Sequence, residues 1–294
     1  MTTYDYLTVD VFTNRRFGGN PLAVFPAASG LDTATMQKLA AEMNYSETTF
    51  VLPAADAANT AQVRIFNRTA EMPFAGHPNV GTAFVLARLG LVTGPVLRFE
   101  EAAGLVEVRL TEEDGAIVGA EIDAPQPLQL LGDFAVPDVA ACLSLPPETI
   151  VTEAHPPRAA SVGVDFLFVE VAPEALSTAR PDLGAFQRLA ARVQAPTARL
   201  SIFFYARNGA DIRARMFAPL SGTWEDPATG SANATLAALR LSLEGGDHLA
   251  YEAVQGVEMG RESHLSLCGW WAADGFRASV GGRCVEMFRG SVSL

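Results

Sequence analysis

The chain has 294 residues, 49% of them hydrophobic, enough for one large or two medium domains with true cores. Against 33 acidic side chains stand 21 basic ones, a net charge of −12, which argues against nucleic acid or an anionic membrane as a partner. The three cysteines, Cys142, Cys268 and Cys284, form no CxxC pair and no disulfide framework, so they read as reduced small hydrophobes of a cytoplasmic protein.

The N-terminus alternates from Tyr4 to Phe12 like a strand and lacks the basic start and apolar run of a signal peptide. A Gly-Gly-Asn-Pro turn follows, which places Asn20 on a loop that is a candidate cleft position. Asp32 is placed to cap a helix running through Met43, with Met36, Leu39, Ala40 and Met43 on one face. Glu47 sits just before the apolar run Phe50–Leu52, and Gln62–Phe66 reads as the next strand. After an apolar helix ended by Gly90, strands are expected at Val96–Glu100, Leu105–Leu110 and Ile117–Ile122. The Pro-rich stretches around 124–138 and 145–160 read as an irregular crossover. Beyond them come strand Val164–Val171, helix Gly184–Val193, and strands Leu200–Ala206 and Ile212–Phe217. A second apolar helix and strands at Leu249–Val254, His264–Gly269, Gly275–Val280 and Arg283–Phe288 complete the chain.

Two stretches repeat. Arg64 and Phe66 match Arg215 and Phe217 at an offset of 151, and after a gap of three, Gly76, Asn79 and Ala83 match Gly230, Asn233 and Ala237. A period of half the chain means a duplicated domain rather than a solenoid. In each copy the helix after the glycine is apolar nearly all round, with only Arg88 or Arg240 charged. Such a helix belongs inside a domain, and each is too short and interrupted to span a bilayer. Each half is therefore expected to wrap a sheet around one central helix. The helix starts, Gly76-His77 and Gly230-Ser231, present unpaired N–H groups and a positive dipole end suited to a carboxylate. The expected domains are 1–120, 121–281 and a C-terminal strand, 282–294, returning to the first.

Common motifs are missing: no GxG pair, no GxxxxGK[ST], and no GxSxG around Ser231. The four histidines lack helical ligand spacing, so a metal site is not expected. What remains is Glu47, His77, Asp226 and Ser231. Each has a plain structural explanation: a solvated loop carboxylate, a satisfied histidine, a turn before Pro227, a helix cap. The repeat joins them, because it sets His77 and Ser231 at equivalent helix starts with Asp226 just ahead of one. A carboxylate facing an imidazole suits proton transfer at carbon, and burial of Glu47 would bring its pKa toward neutrality. A hydrolase built on Ser231 is disfavoured for want of a base at recognisable spacing.

The runs DVFTNRRFGGNPLAVF, NYSETTFV, PFAGHPNVGTA, RMFAP, EDPATGSAN and VQGVEMGR resemble the phenazine-biosynthesis isomerase family (PhzF-like), within the diaminopimelate epimerase fold, over nearly the whole chain. The resemblance implies an α/β (α+β) protein of two pseudo-symmetric halves, each a strongly curved, mostly antiparallel, barrel-like sheet around a central helix, with the site in the cleft between them. It implies no cofactor, a small carboxylic-acid substrate and a homodimer. The family's acid/base carboxylate falls on Glu47 and its other catalytic residues on His77, Asp226 and Ser231. Its substrate-binding backbone groups fall on Gly76 and Gly230, and Asn20 is a further substrate-binding candidate. The archetype moves a proton between ring carbons of trans-2,3-dihydro-3-hydroxyanthranilate. Departures are Asn67-Arg68, where members often carry Thr-Pro, and Trp224, which reads as pocket wall or core. The paired thiols of the related racemases are absent from both helix starts, which disfavours a two-thiol racemase. Two other readings stay open at this point: a non-enzymatic small-acid binding or regulatory protein, and a non-thiol epimerase on the same fold.

Overall fold

The computed structural model describes residues 1–193 and 200–294. It divides into two compact units, Met1–Asp123 with Gly281–Leu294, and Ala124–Val280.

In the first unit, β1 (Thr3–Val11) and β2 (Asn20–Phe25) form an antiparallel pair. Helix α1 (Thr33–Met43) is capped by Asp32, whose carboxylate accepts from the Thr35 N–H at 2.7 Å. It buries Met36 and Ala40 with Leu39 and Met43 packed alongside, the face read from the sequence. Strand β3 (Glu47–Leu52) lies parallel to β2 and antiparallel to β4 (Ala61–Asn67), which also pairs with the short β5 (Glu71–Met72). Helix α2 (Gly76–Arg88) follows, then β6 (Val96–Glu101), β7 (Gly104–Glu113) and β8 (Ala116–Asp123). Strand β6 is parallel to β4, and β6, β7 and β8 run antiparallel in series. The C-terminal strand pairs with both β8 and β1 and closes a barrel of eight strands.

Helix α2 fills the barrel. Every residue from Gly76 to Leu86 is buried, and the helix packs against β1, β2, β3, β7 and β8. An apolar surface on all sides is what such a position requires. Gly81 makes the approach possible: a Cβ there would stand 2.6 Å from the Leu22 side chain and 2.8 Å from that of Val11.

The second unit begins with β9 (Gln129–Asp133), α3 (Val136–Leu143), β10 (Ile150–Val151), β11 (Arg158–Ser161) and β12 (Asp165–Val171). Next come α4 (Pro173–Thr178), α5 (Leu183–Arg192), β13 (Ile202–Asn208), β14 (Asp211–Ala218) and β15 (Thr223–Asp226). Helix α6 (Gly230–Glu244), β16 (His248–Gln255), β17 (Ser263–Ala272) and β18 (Gly275–Ser293) end the chain. Strand β14 is antiparallel to β13 and β15 and parallel to β16. That is the pattern of β4 with β3, β5 and β6, so the duplication read from the sequence is present in the pairing. Helix α6 is buried along nearly its whole length and packs on β11, β12, β16 and β17.

Two expectations are corrected. The Pro-rich crossover is not irregular: it contains β9, α3, β10 and β11. Helix α3 buries Val139, Ala140, Cys142 and Leu143, and Pro137 sits in its first turn, where a missing N–H costs nothing. Gly275–Val280 and Arg283–Phe288 are not separate strands but one, β18. Neither Gly281 nor Gly282 turns the chain, since neither takes a positive φ. Gly281 serves close approach instead, since a Cβ there would lie 3.0 Å from the Glu121 Cβ, and on the facing strand a Cβ on Gly119 would lie 2.0 Å from the Gly282 carbonyl oxygen. Among the described residues no helix is long and apolar enough to cross a membrane. None of the three cysteines is in a disulfide.

Candidate active site

Barrel geometry puts Glu47 beside the start of α2. Glu47 opens β3 in register with Leu22 of β2 and Asn67 of β4. Asn20, fully buried at the head of β2, accepts from Ser46 Oγ at 2.8 Å through its Oδ1. That bond fixes the residue just before Glu47, so Asn20 is a strand residue rather than the loop residue expected. The Glu47 side chain keeps 18% exposure, enough to meet a small molecule while most of its surface is enclosed.

His77 is the second residue of α2, 5% exposed, and its Nε2 lies 3.4 Å from Glu47 Oε2. Burial pushes the imidazole pKa down to about 3. At neutral pH the ring is therefore uncharged, and the contact is imidazole to carboxylate rather than an ion pair. No ordinary hydrogen bond forms at Nε2. At the start of α2 the N-cap, Ala75, has no capping side chain, so the first-turn N–H groups from Gly76 and His77 receive no N-cap acceptor.

The second unit carries Asp226, Gly230 and Ser231. Asp226 ends β15 and is 9% exposed; its Oδ2 accepts from Thr229 Oγ1 at 2.6 Å. Gly230 and Ser231 open α6 behind the N-cap Thr229, whose hydroxyl is turned to Asp226 rather than to the helix. Ser231 is half-buried, and its carbonyl accepts from Thr235 Oγ1 at 2.8 Å.

Sequence reading missed Gln255, the last residue of β16, which ties this corner together. Its Oε1 accepts from Thr229 N–H at 3.1 Å and from Asn233 Nδ2 at 2.9 Å. Its Nε2 donates to the Asp226 carbonyl at 2.9 Å and to Thr229 Oγ1 at 3.0 Å. The available signal was its place in the VQGVEMGR run. Trp224 is 57% exposed, which removes the expectation of a core role. Arg68 is half-buried in the turn after β4. Among the described residues no cluster of His, Cys, Asp and Glu has metal-binding geometry.

A curved sheet around a buried helix, made twice, is the diaminopimelate epimerase-like fold. Within that class the phenazine biosynthesis-like protein family matches residues 9–290, and the chain belongs to that family. It is 40% identical over 280 residues to an uncharacterised isomerase of Mesorhizobium japonicum, covering 91% of each chain. It is 34% identical over 297 residues to the trans-2,3-dihydro-3-hydroxyanthranilate isomerase of Pseudomonas fluorescens, covering 99% of this chain and 100% of that one. A Bacillus anthracis phenazine biosynthesis protein of the PhzF family superposes with a TM-score of 0.89 at 22% identity, over 100% of both chains; at that identity it speaks for the fold alone. The protein is an isomerase of PhzF-like type.

Proposed function

We propose that the protein moves a proton between carbons of a small cyclic or amino carboxylic acid without a cofactor. The observation that carries this reading is the Glu47–His77 contact, a carboxylate 3.4 Å from a buried, neutral imidazole. Glu47 takes a proton from one carbon, the electron pair delocalises into the adjoining unsaturated system, and the same carboxyl returns the proton to a second carbon. His77, uncharged, orients the carboxyl without neutralising it by ion pairing. In the first unit the first-turn N–H groups at Gly76, and in the second those at Gly230 with Ser231, are the donors assigned to a substrate carboxylate and to the negative charge that develops. Asp226 assists proton transfer, and Asn20 keeps the Glu47 strand start in place. Trans-2,3-dihydro-3-hydroxyanthranilate is the first substrate to try, on the strength of the Pseudomonas fluorescens relative. The reading includes a homodimer, which a monomeric mass by light scattering would overturn.

Turnover in D₂O tests the reading. Wild type is expected to place deuterium on a ring carbon as the double bond migrates, and to do so after dialysis against a chelator. Retention of that exchange by Glu47→Gln would remove the shuttle assignment. Inversion at one carbon with no double-bond migration would point to the non-thiol epimerase instead.

A further inference from the structure

A second buried carboxyl lies beside α2 and has no role in the chemistry above. Glu101, the last residue of β6, has both carboxylate oxygens buried with no hydrogen-bond partner. Asn79, on the first turn of α2, is the polar side chain that acts on it. Asn79 Nδ2, however, is committed to the Ala75 carbonyl at 3.0 Å, and its Oδ1 is likewise buried without a donor. Just past Glu101 the Ala103 N–H donates to the Pro73 carbonyl at 3.0 Å, which ties the turn after β6 to the segment leading into α2. An ionised carboxylate left in this place would carry the full cost of desolvation with no donor to offset it.

The second unit shows what the position is for. In the first unit Gln62 pairs with Glu100, and in the second Arg213, 151 residues later, pairs with Val254. The next residues, Glu101 and Gln255, are therefore equivalent. They are separated by 154 residues, the same offset as Asn79 and Asn233 or Ala75 and Thr229. Asn79 bonds the Ala75 carbonyl as Asn233 bonds that of Thr229. Gln255 is a neutral amide that both accepts and donates, and it ties the first turn of α6 to the strand end before it. A carboxylate can only accept. A protonated carboxylic acid has the amide's shape, neutrality and paired donor and acceptor.

We propose that Glu101 is a positioning residue: a neutral carboxylic acid that does in the first unit what Gln255 does in the second, latching the first turn of α2 on which His77 rides. Burial raises its carboxyl to about 8, with Asn79 pulling weakly the other way. The charges on the surrounding elements are engaged elsewhere. Helix α2 carries only His77, held neutral, and Arg88 at its far end. Arg64 of β4 pairs with Glu71 of β5, Arg98 of β6 with Glu107 of β7, and Arg109 of β7 with Asp123 of β8. Glu100, on the same strand, accepts from the Ala55 and Asp56 N–H groups and from Asn59. The latch therefore holds at neutral pH and opens as pH rises through about 8.

The proposal rests on the placing of His77 in the reaction, so its test has a readout independent of substrate. Amide hydrogen exchange of residues 76–80 is compared at matched pH from 6 to 9.5 for wild type, Glu101→Gln and Glu101→Ala, with turnover measured beside it. Glu101→Gln is expected to keep protection and turnover through the alkaline range. Wild type is expected to lose protection about tenfold relative to Glu101→Gln per pH unit above the Glu101 pKa, with kcat falling over the same range and KM changing less. Glu101→Ala is expected to be poorly protected at every pH. Parallel behaviour of wild type and Glu101→Gln across the range, or damage in Glu101→Gln equal to that in Glu101→Ala, would overturn the latch. Protection that follows the expectation while kcat does not respond upholds the latch and removes His77 from the reaction.

Discussion

His77 Nε2 stands 3.4 Å from Glu47 Oε2 at a point where the imidazole is almost wholly enclosed. The ring is kept neutral, its pKa lowered from 6.5 to about 3 by burial. The sign of the consequence is fixed. Between about 3 and 6.5 the unfolded chain binds a proton that the native one does not, so stability falls as pH drops below about 6.5. His77 alone contributes up to ~1.4 kcal/mol per pH unit over that window. Thermal unfolding of wild type and His77→Gln from pH 4 to 7 checks this: the variant is expected to show the shallower acid slope. Imidazole NMR shifts are expected to stay constant from pH 5 to 8, and a titration near 6.5 would contradict the neutral ring.

Glu47→Gln is expected to lower kcat by about 10²–10⁴, the range for loss of a general acid/base. The unfolding midpoint should move little, because the side chain is partly exposed and an amide has the same shape. Steady-state kinetics with the best substrate found, beside a melting curve, separates the two effects. A large drop in both would mean that Glu47 supports the fold rather than the reaction.

Gln255 makes four hydrogen bonds in a site with no solvent contact. Gln255→Leu keeps approximate volume and strips every bond. Buried groups on Thr229, Asn233 and Asp226 then lose a partner, at a cost of about 3 kcal/mol or more. Urea denaturation measures it. A loss under ~1 kcal/mol would mean that water enters and replaces the amide.

The sequence made the repeat legible because the features that define it are local and strong. An apolar helix after a glycine, and a strand from Arg64 matched by one from Arg215, need no tertiary information. The N-cap at Asp32 and the buried face of α1 were legible for the same reason. Helices α3 and α4 were hidden by prolines in their first turns, which read as loop signals until a helix start is known. The continuity of β18 was hidden because a Gly-Gly pair marks a turn in isolation. Here the lack of side chains lets β18 pass against Gly119 and Glu121. The residues nominated for the site, Glu47 and His77 among them, were found by motif. Their spacing in space, and the supporting amide Gln255, depend on strand register that no local pattern encodes.

The duplication also supplies a matched experiment on ion pairs. Arg64 pairs with Glu71, and Arg215, its equivalent, pairs with Glu225 through both nitrogens of its fork at 2.8 and 2.9 Å. Each guanidinium also lies over an equivalent ring, Arg64 5.1 Å from the Phe66 centroid and Arg215 4.8 Å from that of Phe217. The environments differ. The Arg64 and Glu71 side chains are 22% and 35% exposed, those of Arg215 and Glu225 only 4% and 18%. Arg215 also donates to the carbonyls of Leu176 and Ala179. Removing the cation in the second unit strands a mostly buried carboxylate and takes a donor from the Leu176 carbonyl, while the Ala179 carbonyl keeps Arg180 Nη1 at 2.7 Å; in the first unit water reaches Glu71. Arg215→Met is therefore expected to cost about 3–5 kcal/mol and Arg64→Met about 1 kcal/mol or less. Urea denaturation of both variants decides the matter. Equal losses would mean that ring stacking and packing, common to both copies, set the energy, and that burial of the charge pair does not.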